Sequence, residues 1–282
     1  MTRRQFTGLL GGAACALGSR QARAEGAPLT YGVQMYELRE QAKSDLPGVF
    51  REIRDAGFEQ VELYPIAYRV PASELAAMVK DAGLGCVSAH FDYEGLEEKV
   101  AYAKALGLAY MVCPMLPDVQ KTSLAGFRAA AALFDRVGKL AQQQGMQFVF
   151  HNHCYEFRPM EGSTGFATLM QHTSPELVKL EVDCYWLTQA GQDPVGFLRA
   201  HPDRAVLLHL KDRVAGAPTG YDLDAGGKYM AELGQGTIAW PAILAEGRRL
   251  GIQYVYLDQD NTALPIPLSM KRSRAYLRSI RY

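Results

Sequence analysis

This chain of 282 residues has no surplus of either charge, with 30 Lys and Arg against 30 Asp and Glu. It has no basic run, so it lacks the electrostatic footprint by which proteins hold nucleic acid. No apolar stretch beyond the first two dozen residues is long enough to cross a bilayer. Its five cysteines form no CxxC pair; Cys86, Cys113, Cys154 and Cys184 each sit in or just after an apolar strand-like run, as buried free thiols do. No Gly-rich phosphate turn follows an early strand, which weighs against a doubly wound open sheet. There is no internal repeat and no low-complexity tract.

The two ends of the chain read differently. Arg3-Arg4-Gln5-Phe6 precedes an apolar Gly/Ala-rich run from Thr7 to Gly18, then Ala22-Arg23-Ala24. That is the pattern of a secretory leader with a small-x-small cleavage site, and the paired arginines make it twin-arginine-like. Residues 1–24 are therefore expected to be removed on export to the periplasm, leaving 25–282 as one domain. Their loss takes away Arg3, Arg4, Arg20 and Arg23, leaving 26 basic against 30 acidic residues, a net charge of −4. The remainder is expected to be soluble, with no membrane contact.

Strand-like and helix-like segments alternate through the rest. The strands are expected at Tyr31–Tyr36, Gln60–Leu63, Cys86–His90, Ala109–Cys113, Gln147–His151, Val178–Asp183, Ala205–His209 and Tyr254–Asp258. Helical patterns lie between them, several stopped by glycine, as at Gly57, Gly83, Gly107 and Gly145. Eight such pairs at this length describe a single-domain α/β fold, the (β/α)8 TIM barrel. The connection from Arg213 to Gly236 is long for such a domain and is read as a lid.

Polar residues at the C-terminal ends of barrel strands share one mouth. Here these are Gln34 and Tyr36, then Glu62, His90, His151 and His153, Glu181 and Asp183, His209 and Lys211, Asp258 and Asp260. Four of the six histidines fall in this set. His151, Asp183, His209 and Asp258 end four consecutive strands, and mixed imidazole and carboxylate donors point to a divalent metal: Mn, Zn, Co, Fe or Mg. His153, Glu156 and Lys211 are candidate catalytic acid–base groups. Gln34, Tyr36, Glu62, His90, Trp186 and Tyr256 are candidates for substrate binding, the aromatic rings as faces for a sugar to stack upon.

Several segments together resemble the exported members of the sugar phosphate isomerase/epimerase group, with the xylose isomerase-like TIM barrel. They are Gly32-Val33-Gln34-Met35-Tyr36-Glu37-Leu38-Arg39, His151-Asn152-His153 with Tyr155-Glu156-Phe157, Val182-Asp183-Cys184-Tyr185-Trp186, His209-Leu210-Lys211-Asp212 and Asp258-Gln259-Asp260-Asn261. The resemblance implies a metal held by Glu, Asp, His and Glu from strands five to eight. Asp183 and His209 match in type; His151 and Asp258 replace the two glutamates that move the proton in the epimerases.

The resemblance implies a metal-dependent sugar isomerase or epimerase working through an enediolate. Export favours an unphosphorylated sugar. Two alternatives stand beside it: a 3-keto-glycoside lyase or hydratase using the same enolate, and a non-catalytic periplasmic sugar binder. An endonuclease of the same barrel class would need a basic groove that the charge of −4 does not supply. Fusing residues 1–24 to a reporter tests export: Arg3→Lys with Arg4→Lys is expected to abolish it, and undiminished export rejects the twin-arginine route.

Overall fold

The computed structural model describes residues 28–282; the leader expected at residues 1–24 lies outside the described residues. Eight short, largely buried runs form parallel strands. They are β1 (Thr30–Gln34), β2 (Gln60–Glu62), β3 (Ser88–His90), β4 (Tyr110–Cys113), β5 (Gln147–His151), β6 (Val178–Asp183), β7 (Ala205–Leu210) and β8 (Tyr254–Leu257). Each pairs with its neighbour in chain order, and β8 returns to β1. Between β2 and β3 only single bridges form, Gln60 with Gly85 and Leu63 with Ala89. The eight strands thus make the nearly closed barrel that the alternation predicts, with helices between them.

The helices close over it because their apolar residues recur at helical spacing. Leu46–Asp55 buries Leu46, Val49, Phe50 and Ile53, and starts where Asp45 accepts a hydrogen bond from the Gly48 amide. Leu124–Gln143 buries Phe127, Phe134, Val137 and Ala141 along one stripe. The expected glycine stops are real, since Gly57 and Gly145 adopt φ of 90° and 75°, which L side chains rarely take.

Three departures from the expected elements shape the mouth. β1 ends at Gln34, not Tyr36, because the Gln34 side chain accepts from the Tyr36 amide and turns Met35–Leu38 into a 3-10 helix. A short helix, Cys184–Gln189, follows β6 directly, capped by Asp183 through the Trp186 amide at 2.7 Å. The long connection after β7 is structured: Asp212–Arg213 pairs antiparallel with Met230–Ala231, and Leu223–Gly226 is a helical turn between them. Asp212 anchors it, accepting from Gly234 N at 2.9 Å and Ile238 N at 3.0 Å. All four described cysteines are free, as expected, with Cys86 only half buried. Among the described residues no helix is long and apolar enough to cross a membrane.

Below the mouth, Val112, Val149, Leu207 and Tyr256 form a small cluster separate from the main core. They share strand faces with the polar mouth residues, one layer deeper. Gly32 lies beside Tyr256 in register, and a Cβ on it would come within 2.5 Å of the Tyr256 ring. Gly32→Ala is therefore expected to destabilise the protein by about 1–3 kcal/mol, since a fully buried ring cannot step aside. Urea unfolding checks this, and an unchanged midpoint would contradict the close approach.

Candidate active site

Period-two alternation aims every second residue of a barrel strand inward, and the last inward position of each strand opens on the mouth. The structure gathers there the donors expected from the sequence. His151, Asp183, His209 and Asp258 each offer one atom, all within 4.8 Å of one another, and all four residues are buried. A second group, His90, His151, Glu181 and His209, meets the same criterion one layer lower. The two groups share His151 and His209, so hydrogen positions decide between them.

Glu62 and Glu181 are fully buried under the mouth. His209 Nε2 lies 2.7 Å from Glu62 Oε2, and His151 Nδ1 lies 3.2 Å from Glu181 Oε2. Each carboxylate accepts a hydrogen bond from one ring nitrogen, which leaves the other nitrogen facing upward. His209 Nδ1 then faces Asp258 Oδ2 at 3.0 Å, and His151 Nε2 faces Asp183 Oδ2 at 4.0 Å. His90 is bound differently. The Gln34 amide oxygen is committed to the Tyr36 amide, so its NH2 donates to His90 Nδ1 at 2.9 Å. His90 must then carry its own proton on Nε2, 2.8 Å from Glu181 Oε2, where a metal ligand needs a lone pair. The upper group is the one whose donors fit a divalent cation; the lower group is its hydrogen-bonded support, the arrangement that sets ligating histidines in other metal sites.

Lys211 complicates the upper group. Its side chain is fully buried, and Nζ stands 2.5 Å from Asp258 Oδ2, 3.0 Å from Asp260 Oδ2 and 3.0 Å from Asp183 Oδ2. Burial opposes its charge, but Asp183, Asp258 and Asp260 outweigh burial and hold the amine protonated well above the ordinary range. Lys211 is thus a charged donor, not the base it could have been. Asp183 Oδ2, despite that neighbour, makes no hydrogen bond of good geometry, and Glu181 Oε1 has none either.

A cavity of about 410 Å³ opens above these groups, lined by Gln34, Tyr36, His90, His151, His153, Trp186 and Asp258 among the expected residues. The lid contributes Leu223, Gly227 and Met230, as its length suggested. His153 is kept neutral first by burial and then by Lys211, and its Nδ1 has no partner. Burial, then Asp258, raises Asp260 to about 7.

Six expected residues do not line the cavity: Asp183, His209 and Lys211 lie fully buried beneath it, and Glu156, Tyr256 and Glu62 are turned away or covered. Glu156 turns back and accepts the His153 amide with both oxygens, at 3.1 and 3.0 Å, so it holds the loop and carries no proton to a substrate. Burial raises it to about 8. Tyr256 lies one strand layer below Asp258, fully buried beside His209, and offers no face to a sugar. Glu62 is covered by His90 and His209. Asp260, expected at the mouth, also lines the cavity, and Arg39, Tyr64, Asp92, Met115 and Asn261 line it without having been named as site residues. The signal for Asp260 was its place two residues after Asp258 on the same strand face; Arg39 and Asn261 stood in the segments that carry the resemblance. Asn152, the centre of the His151-Asn152-His153 triplet, ties β5 to β6 by receiving the Asp183 amide at 3.0 Å.

A barrel mouth with a buried imidazole–carboxylate cluster under a lidded cavity defines a class: a TIM barrel with its candidate site at the C-terminal face. Residues 50–280 match the family described as "Xylose isomerase-like TIM barrel", and the chain belongs to that family. Among curated relatives, inosose dehydratase of Bacillus cereus (strain AH820) is 36% identical over 76 residues, 27% of this chain and 25% of that protein. The match thus spans about a quarter of that relative's length. A sugar phosphate isomerase/epimerase from Parabacteroides distasonis ATCC 8503 shares the fold with a TM-score of 0.73 at 23% identity, over 91% of this chain and 98% of that one. The IOLI protein, solved with a zinc atom, superposes with a TM-score of 0.67 at 14% identity, over 88% and 96% of the two chains.

One buried acid beside the site has no partner at all. Glu37 is 6% exposed, neither carboxylate oxygen is hydrogen-bonded, and burial, with Asp258 and Asp260, raises it to about 9. Its unfolded value is 4.5, so the fold keeps a proton that the unfolded chain releases above that pH. The stability it allows is full below about pH 4.5 and is lost as pH rises toward 9. Glu37→Gln is expected to remove this loss, opening a gap of roughly 5–6 kcal/mol in its favour by pH 9 and none at pH 4. Urea unfolding at stepped pH measures it; parallel curves would refute the assignment.

Proposed function

We propose that the protein is an exported, metal-dependent lyase that eliminates an oxygen substituent from an unphosphorylated keto-sugar or keto-glycoside. The observation that carries this is the inequality of the groups facing the cavity. His153 is a neutral imidazole in the cavity wall, and Asp260, hydrogen-bonded to the Lys211 ammonium, stands three strands away in barrel order. Elimination needs a base for the carbon-bound proton and an acid for the departing oxygen, and these two groups supply one of each. The inosose dehydratases among the relatives, named for a dehydration, support the same direction.

A divalent cation held by His151, Asp183, His209 and Asp258 would supply Lewis-acid polarisation of the substrate carbonyl. His153, which lines the cavity, takes the proton from the carbon beside that carbonyl. The electron pair left behind forms the carbon–carbon double bond as the next carbon–oxygen bond breaks, and the departing oxygen takes its proton from Asp260. The products are an unsaturated ketone and an alcohol or water. Lys211 lies within 5.6 Å of the Trp186 ring and steadies the negative charge that gathers on this side. Glu156 keeps His153 aimed, and Glu62 and Glu181 keep the two ligand imidazoles in register.

Isomerisation or epimerisation of the same substrates is the second reading. Asp260 and His153 reach the cavity from β8 and β5, so a proton carrier stands on each side of an enolate.

Metal-loaded and chelated protein assayed on neutral ketoses and 3-keto glycosides in D2O tests both. Chelation is expected to abolish deuterium incorporation, and His153→Ala to slow it 10²–10⁴-fold. Released alcohol identifies the lyase; incorporation without release identifies the isomerase. Incorporation that ignores both metal and His153 would end the proposal. Glu62→Gln is expected to weaken Zn²⁺ or Mn²⁺ retention about 10–100-fold in chelator competition, a readout independent of turnover.

A further inference from the structure

The cavity has two halves of opposite chemistry. Over β8, β1 and β3 it is polar, with Asp258, Asp260 and His90. After β4, β6 and β7 the wall is apolar, with His151 at the end of β5 and His153 just beyond it set into it: Met115 follows β4, Trp186 follows β6, and Leu223 and Met230 come from the connection after β7. A single sugar ring would fill on the order of half of such a volume. A free monosaccharide on the polar side would leave the apolar wall facing water, a cost that an apolar group of the ligand removes.

That wall is built, not incidental. Gly226 lies so close to Trp186 that a Cβ would come within 2.8 Å of the ring, and the Tyr185 hydroxyl donates to the Gly226 carbonyl. The lid is thereby held against the indole. Where the halves meet, Trp186 Nε1 and His153 Nδ1 are buried without hydrogen-bond partners, their rings 5.4 Å apart. A buried indole N–H left unpaired is costly unless a ligand oxygen accepts it. An oxygen joining a polar ring to an apolar group would lie at this boundary.

We propose that Met115, Trp186, Leu223 and Met230 form a subsite for an apolar aglycone, so that the substrate is a sugar carrying an aryl or similar group through oxygen. The proposal rests on the carbohydrate reading of the cavity but not on which reaction follows.

The test uses binding alone. The chain has two tryptophans, and Trp240 is fully buried in the core, so a ligand-induced change in emission reports Trp186. Titration compares an O-linked phenyl glucoside, which lacks the keto group that elimination needs, with methyl glucoside and with phenol. Phenyl glucoside is expected to bind at least about tenfold more tightly than either of the others. In Leu223→Ala/Met230→Ala protein, whose substituted residues are half exposed, the preference for phenyl over methyl should fall toward one while thermal unfolding is retained. Equal affinities for the two glucosides, phenol binding as tightly as phenyl glucoside, no binding of any probe, or a preference surviving the double substitution would each overturn it. Turnover plays no part, so failure here leaves the lyase reading to stand or fall on deuterium exchange.

Discussion

The constraint on which this structure depends is the burial of four carboxylates, Glu62, Glu181, Asp183 and Asp258, in one barrel mouth. Each would be severely penalised there unless matched by a donor or a cation. The match is made in two tiers. Imidazoles sit between the lower and upper carboxylates, and the Lys211 ammonium closes the upper tier between Asp183, Asp258 and Asp260. Removing one partner would strand the others, so the cluster is as much a requirement of the fold as of the chemistry.

That same arrangement sets the chemical options. The lower carboxylates choose which nitrogen of His151 and His209 is free, while Gln34 chooses for His90 and excludes it from ligation. Lys211, surrounded by acids, stays charged. The group left neutral and facing the cavity is His153, whose backbone Glu156 ties down. The acid–base equipment is therefore lopsided, unlike two glutamates facing each other across a substrate. The lid adds an apolar wall that no strand end supplies.

Much of this was legible in the chain. Apolar runs ending in His, Asp or Glu reveal strands that deliver polar groups to one face, because a strand alternates with period two and a closed barrel has one C-terminal mouth. Glycines after helical patterns located the turns. The depth of each inward residue was not legible. Tyr256 and Asp258 share a strand face, yet a step of two residues is about 6.6–6.8 Å along a strand, enough to place one in the core and the other at the cavity. Glu156 looked like a proton carrier because its neighbours were histidines; only the loop's conformation showed that it serves the His153 amide.

The amino-acid order by itself determined the barrel, the strand ends that carry chemistry and the long connection after β7, since each follows from local periodicity and turn chemistry. Tertiary structure alone decided which imidazole nitrogens are free, which acids face Lys211 and which side of the cavity is apolar. Those choices depend on contacts such as Glu62 with His209, 147 residues apart in the chain, which no local pattern encodes.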